Sequence, residues 1–121
     1  MATAQQRQAM GRYGEDSALR HLTDLGMSLL DRNWRCELGE IDLVLRDGDV
    51  LVFCEVKTRA TAAYGSPLEG VTPDKLARLR RLGARWLEER GLRVREVRID
   101  LLGIRLDAPA DERVAHVRGV C

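Results

Sequence analysis

Residues 40–57 read EIDLVLRDGDVLVFCEVK, two apolar runs joined by Asp47-Gly48. An Asp-Gly pair between such runs is a strong local signal for a β-hairpin. It predicts strands over 40–46 and 50–57. With Asp47-Gly48 as the turn, Arg46 pairs with Asp49, Val44 with Leu51, Asp42 with Phe53 and Glu40 with Glu55. Paired residues share a face and side chains alternate. Glu40, Asp42, Glu55 and Lys57 are therefore expected on one face at one end of the hairpin, with Val52, Cys54 and Val56 on the other. A one-residue bulge would change this arrangement.

The flanking segments supply a fold class. Residues 4–25 read as a helix ending at Gly26, with Gly11 and Gly14 as points that interrupt it or delay its start. Ala18, Leu19, Leu22 and Leu25 form its apolar stripe, and Glu15 falls on the same inward face. First-turn stabilisation of the helix dipole is the ordinary reason for a carboxylate there. Residues 27–35 read as a strand and 60–71 as a loop. Thr72, Pro73 and Asp74 are a cap, a first-position proline and a dipole partner for a second helix that ends at Gly91. Strands follow over 94–104 and 113–118. The order α-β-β-β-α-β-β predicts a three-layer α/β/α fold with a mixed central sheet.

A chain of 121 residues favours one domain over 1–121, with 1–10 as a candidate flexible lead and 119–121 as a tail. The first ten residues, MATAQQRQAM, lack an apolar signal core, which makes a cytoplasmic location and no membrane partner the expectation. Cys36, Cys54 and Cys121 show no ligand spacing, and His21 and His116 read as isolated.

Net charge is only +1, but its distribution is uneven. Residues 75–95 carry eight basic side chains against Glu88 and Glu89, while residues 37–49 carry five acidic ones against Arg46. An acidic segment beside a basic one suits a metal site next to a phosphate-binding surface. Lys57 and Lys75 are the only lysines among 20 basic residues, so Lys57 stands out against a bias to arginine. In the hairpin, three carboxylates face one lysine. At ~5 Å and an effective dielectric near 20, each like-charge pair costs roughly 3 kcal/mol. Either solvent screens the cluster, or protons or a divalent cation compensate it. Oxygen donors of this kind suit Mg²⁺, with Mn²⁺ as a substitute. Metal and lysine together suit phosphodiester hydrolysis. Asp42 and Glu55 are then candidate ligands, Val56 contributes a backbone carbonyl, and Lys57 orients water.

The blocks GEDSALRHLTDLG, NWRCELGEIDLVLRDGDVLVFCEVKTR and YGSPLEGVTPDKLARL resemble the YraN family of predicted endonucleases, from about Gly14 to Val117. That family is placed in the PD-(D/E)XK, restriction-endonuclease-like superfamily and is similar to archaeal Holliday-junction resolvases. The resemblance implies a helix-flanked sheet and Mg²⁺-dependent nuclease chemistry. It places Asp42, Glu55 and Lys57 in the catalytic motif and Glu15 as the helix glutamate. Glu40 lies in its GEID block with a less defined role. Its arginine-aromatic-aspartate block stands here as Arg98-Ile99-Asp100.

Arg78, Arg81 and Arg85 recur at three and four residues on the second helix, with Lys75 before them and Arg59 directly after the motif. These are candidate phosphate contacts, as is Tyr64 in the loop; a solvated helix face is the alternative. Two readings therefore stand: a metal-dependent DNA endonuclease, with selectivity for branched DNA as its narrower form, and a non-catalytic nucleic-acid-binding accessory protein. Resolving a four-way junction would require two active sites and hence a homodimer.

Overall fold

The computed structural model describes residues 3–61 and 70–120. The chain runs α1 (Ala4–Asp24), β1 (Ser28–Cys36), β2 (Gly39–Asp47), β3 (Val50–Arg59), α2 (Pro73–Arg90), β4 (Glu96–Arg105), a 3₁₀ turn (Ala110–Glu112) and β5 (Val114–Val117). The strands lie in sequence order in one sheet. β3 and β4 pair in parallel and all other neighbours are antiparallel. The parallel pair needs a crossover, and α2 supplies it. The result is the expected three-layer α/β/α arrangement with a mixed sheet.

Local chemistry sets the helix ends. Thr3 and Gln6 form a reciprocal capping box at α1. The Thr72 hydroxyl accepts the Lys75 N–H at 3.2 Å, and Gly91 closes α2 in the left-handed region at φ 61°. α1 passes through Gly11 and Gly14 without interruption, contrary to the expectation from sequence.

Each helix covers one face of the sheet. Beneath α1, Ala18 and Leu22 pack with Met27, Leu43, Leu45, Val52, Cys54, Leu102 and Ile104. Beneath α2, Leu79, Leu82 and Trp86 pack with Ile41, Val44, Leu51, Phe53 and Ile99. Contact is close enough to demand glycine twice. A Cβ on Gly14 would stand 1.8 Å from Thr58 Oγ1, and one on Gly83 2.5 Å from Phe53. Gly14→Ala should therefore destabilise the fold by about 1–3 kcal/mol through overpacking. Urea unfolding checks this; a loss below ~0.5 kcal/mol would mean that α1 shifts freely on β3.

The hairpin turn lies one residue later than expected. Asp47 pairs with Val50, so Gly48 and Asp49 form the turn. Gly48 has φ 61° and Asp49 is not among the residues with positive φ, which matches a type II′ turn with glycine first. Val44 therefore faces Phe53, and Leu43 faces Cys54. The pairing slips by two positions, so the alternation of faces survives along this part of the hairpin.

The isolated histidines meet. His21 Nε2 and His116 Nδ1 lie 3.2 Å apart across 95 residues. His116 Nε2 lies 2.8 Å from Asp100 Oδ2, and Asp100 is fully buried. Arg98 donates to both Asp100 oxygens, at 2.8 and 3.1 Å, and the Gly119 N–H reaches Oδ1 at 3.0 Å. One buried carboxylate thus joins β4, β5, the C-terminal tail and, through the histidines, α1. No helix among the described residues is long and apolar enough to cross a membrane.

Candidate functional site

Pairing between β2 and β3 stops at Leu43 and Cys54, although β2 begins at Gly39 and β3 continues to Arg59. The two strands therefore fork. At the fork the pleat of β2 breaks: Ile41 packs beneath α2, while Leu43, two residues on, packs beneath α1. Across β1, Arg32 faces Leu43 and Trp34 faces Ile41, which puts Asn33 opposite Asp42. Asn33 is the one non-glycine with positive φ among the described residues, at 54°. Asparagine tolerates that region better than most residues.

Asp42 sits at the break. Its Oδ2 accepts the Val56 N–H at 2.7 Å, where a strand carbonyl would otherwise serve. The contact seen at Val56 is thus its N–H, whereas the sequence pointed to its carbonyl. Asp42 brings an oxygen within 4.8 Å of oxygens on Glu15 and Glu40, making one three-carboxylate group. Burial is the main force that raises the Asp42 pKa from 3.8 to about 7; Glu40 and Glu15 add to it, and the Val56 hydrogen bond opposes it.

Glu15 follows Gly14, whose contact with Thr58 presses this part of α1 onto the sheet. Glu15 Oε1 is buried without a hydrogen-bond partner, and Arg32 Nε stands at an ion-pair distance of 3.5 Å. Glu40 Oε2 pairs with Arg35 Nε at 2.6 Å. A cavity of about 570 Å³ opens onto these carboxylates, lined by Gln8, Gly11, Arg12, Asn33 and Arg35 together with Glu15 and Glu40.

Glu55 and Lys57 do not join this group. In β3, Val52 and Cys54 pack beneath α1 and Thr58 touches Gly14, so the alternate positions 55, 57 and 59 face the α2 side. The expectation that all four hairpin charges share one face is therefore corrected. The cause is the pleat break at Asp42, which turns Glu40 and Asp42 towards α1. Glu55 Oε1 lies 4.0 Å from Lys57 Nζ, and Glu55 Oε2 is buried without a hydrogen bond. Lys57 also approaches Lys75 on α2, and that contact lowers the Lys75 pKa. The two lysines of the chain thus meet beside Glu55. The fork has an all-carboxylate group on its α1 side and a Glu-Lys-Lys group on its α2 side.

The candidate phosphate contacts divide. Arg78 and Arg81 are exposed on α2. Arg85 is paired with Glu37 at 2.6 Å. Arg59 is half-buried, with its Nε buried and lacking a hydrogen bond. Tyr64 lies outside the described residues. Sequence reasoning missed Arg12, Arg32, Asn33 and Arg35. The run DRNWRC held one usable signal, an asparagine inside a predicted strand.

Fold and site together define an α/β protein whose mixed five-stranded sheet forks around a half-buried aspartate. The model of the Uncharacterised protein family UPF0102 matches residues 14–104, and the chain belongs to that family. A UPF0102 protein of Nocardioides sp. (strain ATCC BAA-499 / JS614) is 60% identical over 119 residues, covering 98% of this chain and 96% of the relative. That of Kineococcus radiotolerans is 50% identical over 121 residues, covering 99% of each. A UPF0102 protein of Streptomyces coelicolor is 56% identical, covering 94% of this chain and 89% of the relative.

Proposed function

We propose that this chain is a divalent-metal-dependent nuclease acting on DNA, with the PD-(D/E)XK chemistry to which the YraN resemblance points. The observation that carries the reading is Asp42. It is lodged in a sheet fork within 4.8 Å of two further carboxylates. Its ionisation is suppressed by burial and by those neighbours. Such a group is stable with a proton or a cation but poorly stable without either. Glu15, whose Oε1 is buried without a hydrogen bond, supplies a further oxygen with capacity to spare.

Glu15, Glu40 and Asp42 would hold Mg²⁺ or Mn²⁺, which when bound polarises a phosphate and lowers the pKa of water. The remaining steps belong to the chain. The Val56 N–H fixes Asp42 through its Oδ2 at 2.7 Å. Glu55 Oε2, buried and unbonded, offers an acceptor for the proton of an attacking water. Lys57, 4.0 Å from Glu55, orients that water and offsets charge gained by the phosphate as the bond breaks. Lys57 and Lys75 repel each other, and a phosphate between them would relieve that repulsion.

The split of the site supports a second reading. Glu55 and Lys57 lie on the α2 side and the three-carboxylate group on the α1 side, which suits an accessory protein that binds nucleic acid without cutting it.

Cleavage of duplex, flap, single-stranded and four-way-junction DNA in Mg²⁺, Mn²⁺ or EDTA separates the two. Metal-dependent cutting is expected, with Glu55→Ala and Lys57→Ala each reducing it by about 100-fold or more. Cutting that survives both substitutions would remove these residues from the site. Salt-sensitive binding without cutting would establish the accessory role.

A further inference from the structure

We infer that the nucleic-acid backbone reaches the carboxylates through the groove between α1 and β1, held by Arg12 and Arg35, and not along the arginines of α2. The inference rests on the nuclease reading and assigns a face to its substrate.

Of the α2 arginines expected as contacts, Arg78 and Arg81 are exposed and Arg85 already has a partner. Arg85 is held by Glu37, and Arg90 is paired with Asp31 and stacked 4.5 Å above the Trp86 ring. Moving them onto phosphate would break those pairs. In the α1–β1 groove, Arg12 is exposed and makes no ion pair among the described residues. The Arg35 side chain is 76% exposed and bonds Glu40 through Nε, which leaves its terminal nitrogens for a phosphate. Both residues line the cavity that opens onto Glu15 and Glu40. A phosphate bound to them lies next to the carboxylates.

Gly11 supplies an independent observation. Glycine within a helix costs about 1 kcal/mol relative to alanine. Gly14 and Gly83 have a packing reason, because a Cβ on either would collide with Thr58 or Phe53. A Cβ on Gly11 would meet nothing within 4 Å. No contact among the described residues accounts for glycine there, yet it lines the groove. Bare helix backbone at that point leaves room for a phosphate chain to lie close.

Charge adds a condition. Arg12 and Arg35 face Glu15, Glu40 and Asp42, so the groove does not attract a polyanion unaided. A divalent cation on the carboxylates reverses that balance. Binding through this groove therefore requires the cation, whereas binding along α2 would not.

Fluorescence anisotropy with a labelled four-way junction and a labelled duplex, in Ca²⁺ or EDTA, tests the assignment. Ca²⁺ accepts oxygen ligands and serves as the probe cation. Expected is binding in Ca²⁺ that weakens about 10-fold or more in EDTA. Arg12→Ala should weaken it about 5- to 10-fold and lower the salt slope by about one. Gly11→Leu should weaken it by a similar factor through bulk alone. Gly11→Ala should raise the melting temperature, showing that the helix tolerates a side chain there. The double change Arg78→Ala with Arg81→Ala should cost less than Arg12→Ala. If the double change weakens binding while Arg12→Ala and Gly11→Leu do not, the groove is overturned and the nuclease reading stands. If the unaltered protein binds neither DNA, both fall.

Discussion

Asp42→Asn should raise the melting temperature of the metal-free protein by several degrees at about pH 8 and by less than half as much at about pH 5. In the folded chain the Asp42 pKa is raised from 3.8 to about 7. Between those values the folded state holds a proton that the unfolded state has released, so stability falls as pH rises and stays reduced above about 7. Each unit of pKa is about 1.4 kcal/mol, so the full shift corresponds to roughly 4 kcal/mol as an upper limit. Glu15 and Glu40 retain part of the strain, which leaves a gain of about 1–3 kcal/mol for the neutral amide. For a domain of this size that is ~4 °C per kcal/mol. Asparagine can still accept the Val56 N–H, so the fork persists. The same substitution should abolish stabilisation by Mn²⁺ or Mg²⁺, which in the unaltered protein should grow with pH as the proton leaves. Scanning fluorimetry at both pH values, in EDTA and in each metal, reads all of this. Equal cation-induced shifts in the two proteins would remove Asp42 from the metal group.

Much of this architecture is legible in the sequence, for identifiable reasons. Thr72-Pro73-Asp74 and Gly91 bracket α2 through local chemistry, and observation agrees with expectation at both ends. The Asp47-Gly48 pair marks the hairpin but leaves two turn placements open, and the Asp47–Val50 pairing, with Asp47 outside the positive-φ region, separates them. The α1 side of the site was half legible, because Glu15 fell on an apolar helix face. Splitting the hairpin charges between two faces was not legible. Strand alternation assumes an unbroken pleat, and the break depends on the Asn33 backbone and on the Asp42–Val56 bond, both visible only after β1 and β3 are assembled. The histidine pair was hidden for a related reason: 95 residues separate its members, and each looks solvated in its own segment.

Asp100→Ala should be the most destabilising single change outside the apolar core. Burial alone would raise the Asp100 pKa, but bonds from Arg98, His116 and the Gly119 N–H outweigh it and hold the carboxyl below its ordinary value. Removing the carboxylate leaves Arg98 with Asp47 alone and strips His116 and the Gly119 N–H of their acceptor. Breaking a buried ionic network from one side costs about 3–5 kcal/mol, which is a fall of roughly 12–20 °C here. Asp100→Asn keeps the shape and one acceptor and should cost less. The pH dependence supplies a second readout. A depressed carboxyl stabilises above its unfolded value of 3.8 and loses that contribution as pH falls through its folded value. His21 acts at higher pH. Burial and His116 lower its pKa below 6.5, against a smaller opposing effect of Asp24, so stability already declines as pH falls below 6.5. Asp42 slopes the other way over an overlapping range. Asp42→Asn should therefore steepen the loss of stability on acidification below 6.5, and His21→Gln should flatten it. If Asp100→Ala costs less than about 1 kcal/mol, the network does not hold β5 and the C-terminal tail to the sheet, and the apolar contacts of Leu102 and Ile104 suffice without it.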